Sequence, residues 1–129
     1  MPILRLKGEA FSGTGEAKLF TELPWAKAQM KNRLGFTPHP GTLNLKLFGR
    51  GVRLRKMLDD AGGLELVPPE GCCRGLLFKA RLHGTVECAV VIPKVQNYPN
   101  DVLEIIAPLN LRNKLDLSDG DTVELEIIL

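Results

Sequence analysis

The run Phe78-Lys79-Ala80-Arg81-Leu82-His83-Gly84-Thr85-Val86-Glu87-Cys88-Ala89-Val90-Val91-Ile92 decides the fold class. Its first five residues alternate apolar and charged, the period of a strand with one dry face and one wet face. Beyond Gly84, Val86 to Ile92 is more continuously apolar, as a strand covered on both faces would be. Outward from this run the alternation recurs: Leu4 and Leu6 interleave with Arg5 and Lys7, and Val123, Leu125, Ile127 and Leu129 interleave with Thr122, Glu124 and Glu126. Val102 to Ile106 again resembles a strand covered on both sides. Gly, Pro, Asn and Asp separate these segments. A mainly β, antiparallel fold is expected, and a small closed barrel accommodates both strand types.

Helical signals are fewer. Pro24 can open a helix with Ala26, Met30 and Leu34 at i, i+4 and i+8, and Gly35 stands where it would stop. Leu54, Met57, Leu58 and Ala61 follow i, i+3, i+4, i+7 and end at Gly62-Gly63, which predicts a second helix. Leu109 to Leu115 predicts one or two short turns. Val67 to Gly71 reads as a loop, and Lys94 to Asp101 as another, long enough to be a flap over a ligand.

A length of 129 residues fits one domain spanning 1–129. No apolar run approaches the roughly 18 residues that cross a bilayer, and Met1 to Leu6 enters alternating sequence directly, without the sections of a secretory signal. A soluble, cytoplasmic monomer is expected. Cys72, Cys73 and Cys88 have no CxxC spacing, so they read as buried or incidental thiols rather than a disulfide framework or zinc site. Met1 to Leu64 carries 11 Lys/Arg against 5 Asp/Glu, and Glu65 to Leu129 carries 6 against 10. Either an anion meets the first half or the asymmetry is solvated surface charge.

Three stretches carry chemistry. Gly35-Phe36-Thr37-Pro38-His39-Pro40-Gly41-Thr42-Leu43-Asn44-Leu45-Lys46-Leu47 is a stiffened loop running into a strand. If Leu43, Leu45 and Leu47 point one way, Thr42, Asn44 and Lys46 point the other. A hydroxyl and an amide oxygen then lie side by side on backbone about 7 Å apart. Both are neutral, hard oxygen ligands suited to Mg²⁺, and nucleotide phosphates would supply the missing anions. The same residues also fit the plain wet face of an amphipathic strand.

In Ser12-Gly13-Thr14-Gly15-Glu16-Ala17-Lys18 two glycines let backbone N–H groups approach a phosphate, with Lys18 as a point charge. A hairpin turn is the other reading, and neither a P-loop nor a dinucleotide fingerprint is present. In Glu104-Ile105-Ile106-Ala107-Pro108-Leu109-Asn110-Leu111-Arg112 the carboxylate of Glu104 is surrounded by apolar residues. It either faces a cavity, which suits a general base, or points outward from an edge strand. Arg112 either clamps a phosphate or pairs with Asp116. His39 and His83 are isolated and receive no role.

In this order and separation, the segments Gly13-Thr14-Gly15-Glu16, Pro38 through Leu47 and Glu104 through Arg112 with Leu117-Ser118-Asp119-Gly120-Asp121 resemble the CTP-dependent riboflavin kinases best known from archaea. The resemblance covers nearly the whole chain and is weakest from about Phe48 to Leu76. It implies a six-stranded cradle-loop barrel, related to riboflavin synthase, that converts riboflavin and CTP to FMN and CDP with Mg²⁺. Carried over by position, Gly13, Thr14, Gly15, Glu16, Ala17 and Lys18 would line the nucleotide, as would Leu109, Asn110, Leu111 and Arg112. Thr42 and Asn44 would hold the metal. Glu104 would lie at the ribityl or phosphate end of the flavin, as base or as orienting group, and Gln96 falls where the family usually has a flavin-contacting Thr. Further departures are Ala17 for a usual glycine, Leu19 for a common aromatic and His39 for a common Tyr. The winged-helix domain that precedes the barrel in some relatives is not expected here.

Two other readings stand beside this one. Leu109 to Leu115 followed by Leu117 to Leu125 also resembles the end of swapped-hairpin transcription factors. A net charge of +2 and an acidic second half disfavour a nucleic-acid partner. The barrel could also be a flavin- or nucleotide-binding module without catalysis. Segment 50–63 and Cys72-Cys73 receive no functional account.

Overall fold

The computed structural model describes residues 3–13, 21–69, 74–94 and 98–129. Among these residues seven strands form one antiparallel sheet: β1 (Ile3–Phe11), β2 (Leu43–Leu47), β3 (Leu64–Leu66), β4 (Gly75–Leu82), β5 (Val86–Pro93), β6 (Val102–Ile106) and β7 (Thr122–Ile128). Their order is β3-β4-β5-β6-β2-β1-β7. The edge of β4 away from β5 is shared. Its first half pairs with β3, Leu77 opposite Leu64, and its second half pairs with β7, Ala80 opposite Ile127 and Leu82 opposite Leu125. That second pairing closes β4, β5, β6, β2, β1 and β7 into the expected six-stranded barrel.

Alternation sets what fills it. Leu4, Leu6, Leu43, Leu45, Leu47, Phe78, Ala80, Leu82, Val123, Leu125 and Ile127 point inward and form one buried core. Charged residues on the same strands face out and pair across them, Arg5 with Glu126 at 3.6 Å and Lys7 with Glu124 at 3.4 Å. Strand β5 is apolar on both faces for a physical reason. Cys88, Val90 and Ile92 enter the barrel, while Ala89 and Val91 lie under an outer layer built by helix α1 (Pro24–Leu34).

Helix α1 begins at Pro24, whose fixed φ suits the first turn, and ends at Gly35 in the left-handed region at φ 83°. Ala26, Met30 and Leu34 form its buried stripe against Leu66, Leu77, Ala89, Val91 and Ile106. Burying side chains such as Met30 and Leu34 contributes roughly 1.5–3 kcal/mol each. Gln29 fastens the short strand β3 to this helix by accepting from the Val67 N–H at 2.8 Å and donating to its carbonyl at 2.6 Å.

The helix predicted across Leu54 to Ala61 is realised differently. Helix α2 (Arg50–Arg55) tightens into a 3₁₀ turn over Lys56–Asp60. Leu58 is buried in the core and Leu54 packs half-buried against it, while Met57 and Ala61 remain exposed, so the apolar stripe stops short of the segment's end and does not hold a full α-helix there. Helix α3 (Leu111–Leu115) matches the expected short turns, and the Asn110 side chain caps it by accepting from the Asn113 N–H at 3.1 Å.

Candidate functional site

Residues Leu43 and Leu45 enter the barrel, so Asn44 faces outward, and Leu103 and Ile105 do the same for Glu104. Register makes them direct partners: Asn44 lies opposite Glu104 across β2 and β6, and on its other side opposite Phe11 of β1. Opposed positions in an antiparallel pair bring Cβ atoms within about 5.5 Å.

Thr42 precedes β2, and its hydroxyl donates to Asn44 Oδ1 at 2.9 Å. The other end of that amide meets Gly13, where a Cβ would overlap Asn44 Nδ2. The amide is therefore gripped from both ends, with its oxygen turned to the Thr42 hydroxyl. Octahedral Mg²⁺ with ligands at 2.0–2.1 Å separates adjacent oxygens by about 2.9 Å, so the two donors fit neighbouring positions around such an ion. Among the described residues no group of three or more His, Cys, Asp or Glu could hold a metal, so a bound ion would take further ligands from a phosphate-bearing substrate or water.

The loop before β2 is tied down at two places. The His39 N–H donates to the Ala107 carbonyl at 2.7 Å, and the Gly41 N–H donates to Thr21 Oγ1 at 2.9 Å. These bonds bring Pro40, Gly41 and Thr42 against Leu109, Asn110, Leu111 and Arg112 around a cleft of about 120 Å³. A much larger open groove, about 1040 Å³, lies between β1, β7 and α2 and contains none of the candidate residues. The convergence of polar groups, not volume, marks the first as the candidate site.

Arg112 reaches toward Gly13 through an intermediary. Its Nη2 lies 2.8 Å from Asp119 Oδ1, and Ser12 Oγ donates to the same carboxylate at 2.8 and 3.0 Å. Asp119, not Asp116, is thus its acidic partner. Asp116 instead ends α3 in the left-handed conformation, φ 52°. The Ser12 hydroxyl and Arg112 guanidinium hold the Asp119 carboxyl below its ordinary range.

Glu104 is half-buried and accepts a 2.6 Å hydrogen bond from the Tyr98 hydroxyl on Oε2. Burial, then the neighbouring carboxylate, push the ionisation of Tyr98 up, so the phenol stays a donor. The guanidinium of Arg55 sits 5.8 Å from the centre of that ring.

Gly13, Thr42, Asn44, Glu104 and Leu109 to Arg112 are thus brought around one region. Thr14, Gly15, Glu16, Ala17, Lys18 and Gln96 lie outside the described residues. Sequence reasoning missed Tyr98, Arg55 and Asp119 as neighbours of the site. The usable signal for Tyr98 was that the chain's one tyrosine precedes Glu104 by six residues, in the loop before β6.

Comparison with known proteins bears on the same residues. A family model of the CTP-dependent riboflavin kinase domain, also described as domain of unknown function DUF120, matches residues 10–127. A riboflavin kinase of Archaeoglobus fulgidus is 43% identical over 130 residues, covering 98% of this chain and 55% of the relative. One from Pyrobaculum aerophilum is 44% identical over 133 residues, covering 98% and 61%. The chain therefore spans little more than half the length of these two relatives. A riboflavin kinase of Sulfurisphaera tokodaii is 37% identical over 132 residues, with 98% of this chain and 97% of the relative covered. The resemblance first visible in three short segments extends over the whole barrel, and the chain belongs to the CTP-dependent riboflavin kinase family.

Proposed function

We propose that this chain transfers the terminal phosphoryl group of CTP to the 5′-hydroxyl of riboflavin, giving FMN and CDP, within a single domain spanning 1–129. The observation that carries this reading is the register of Asn44 and Glu104, which sets a neutral oxygen donor, paired with Thr42, beside a carboxylate on the next strand. Phosphoryl transfer needs both: a place for a divalent ion bound to phosphates and a group to receive or orient the attacking hydroxyl.

Thr42 and Asn44 would hold Mg²⁺, which when bound offsets negative charge on the terminal phosphates. The chain's own residues position the reactants. Gly13 and the following residues through Lys18 would line the nucleotide together with Leu109 to Arg112, and Gln96 would contact the flavin. Glu104 would accept a hydrogen bond from the 5′-hydroxyl and take its proton as the new P–O bond forms and the bond to CDP breaks. A loose transition state requires little base assistance, so orientation alone is the lesser role open to Glu104.

Incubating the purified chain with riboflavin, Mg²⁺ and either CTP or ATP, and separating FMN from riboflavin by fluorescence chromatography, tests the proposal. FMN formed with CTP, not with ATP, and abolished by EDTA is the expected result. A folded protein that binds riboflavin yet makes no FMN with either nucleotide overturns it in favour of a binding module.

A further inference from the structure

Arg55 is the one charged residue among the described residues that is buried, 5% exposed, and within that set it forms no ion pair. It lies at the end of α2, in the segment for which the sequence offers no function. Its guanidinium is instead spent on two neutral groups, the ring of Tyr98 at 5.8 Å and the Val102 carbonyl, to which Nε donates at 3.4 Å. Both lead to one place. Val102 is two residues before Glu104 on the same face of β6, and Tyr98 donates to Glu104 Oε2 at 2.6 Å. A cation over an aromatic ring holds that ring in place. With Oε2 taken by the phenol, Oε1, which has no hydrogen-bond partner among the described residues, is the oxygen left to meet a substrate hydroxyl.

We propose that Arg55 and Tyr98 are positioning residues for Glu104, fixing its carboxylate so that Oε1 faces the riboflavin 5′-hydroxyl; this rests on the kinase reading above. Neither residue touches the reacting atoms. Arg55 seats the ring, the ring's hydroxyl seats the carboxylate, and the strand carbonyl bonded to Arg55 holds the same stretch of β6.

A double-mutant cycle with separate kcat and KM values tests it. Tyr98→Phe keeps the ring under Arg55 and deletes the hydroxyl. A lost hydrogen bond to a charged group predicts a kcat lowered by roughly tenfold, with KM for riboflavin and CTP within about twofold of wild type. In a Glu104→Gln background the same change should alter kcat by less than about twofold, because the group it positions is gone. Arg55→Lys, which keeps the charge but not the planar stack, should lower kcat at unchanged KM and lose that effect in the Tyr98→Phe background. Effects of Tyr98→Phe and Glu104→Gln that multiply independently, or an unchanged kcat in Tyr98→Phe, overturn the inference while leaving the kinase reading intact. Should Tyr98→Phe not fold, the Arg55→Lys arm decides by the same criterion in the Glu104→Gln background. A wild-type protein without kinase activity overturns the kinase reading itself, and the relay with it.

Discussion

Asn44 and Glu104 occupy opposed positions on neighbouring strands, one donating a neutral oxygen and the other a carboxylate to the same patch of the barrel's outer surface. The β2–β6 ladder fixes the two backbone positions relative to each other, so under the proposed reaction the spacing between a bound ion and an incoming hydroxyl would be set largely by backbone hydrogen bonds.

Asn44→Ala therefore removes one of the two proposed protein ligands without disturbing the core below it. FMN formation at fixed Mg²⁺ should fall by about a hundredfold or more, comparable to deleting one pre-organised electrostatic contact. Retained activity within about threefold of wild type in a steady-state assay would remove Asn44 from the metal site.

Gly13→Ala tests the grip on that amide from the other side. The new methyl overlaps Asn44 Nδ2, so the amide must turn or β1 must shift. The expected outcome is a folded protein whose half-saturating Mg²⁺ concentration rises by roughly tenfold, a displacement costing about 1.4 kcal/mol of metal affinity. Titrating Mg²⁺ in the kinase assay reads it directly.

Met30→Ala probes the outer layer. Met30 is fully buried between α1 and the barrel wall, where truncation of a large apolar side chain typically costs about 2–5 kcal/mol. Urea unfolding should show that loss with an unchanged m-value, and the surviving folded fraction should keep its kcat because the cluster contains no site residue.

Cys88 supplies a pH signature. Burial, then the charge of Glu87, raise its thiol from 9.0 to about 12. The folded protein thus holds this proton more tightly than the unfolded chain. Its contribution is complete below about pH 9 and is lost as pH rises toward 12, with a slope approaching 1.4 kcal/mol per pH unit. Cys88→Ala should lack that component of the alkaline loss in stability, measured by urea unfolding at pH 8, 9 and 10. In the wild-type protein Cys88 should resist iodoacetamide at pH 8 until the chain unfolds.

Strands β1 and β7, and β4 from Phe78 onward, were legible because each has a single buried face there, so the period of two survives intact in the sequence. The apolar run of β5 also announced its two-sided burial, although which element covers it depended on the path of α1. Strand β3 escaped because three residues cannot display a period, and Leu66 is buried by a helix some 30 residues earlier rather than by its own neighbours. At Leu54 to Ala61 the spacing imitated a longer helix, but only Leu54 and Leu58 find the core, and Met57 and Ala61 have nothing to cover. Within the site, the outward orientation of Thr42 and Asn44 followed from the leucines between and beside them. The bond from Tyr98 to Glu104 and the seat of Arg55 did not, because a loop residue's partner is decided by where distant segments meet. The same holds for the Arg112 choice of Asp119 over the nearer Asp116.

The pairing of β1 with β7 has a practical side. Ile3 is in register with Ile128 at one end of β1, whereas Phe11 at the other end is in register with Asn44. Eight residue steps of strand separate the two ends, roughly 26 Å. A tag or linker attached beside Ile3 or Ile128 would therefore sit at the pole far from Asn44 and leave the proposed site open to solvent.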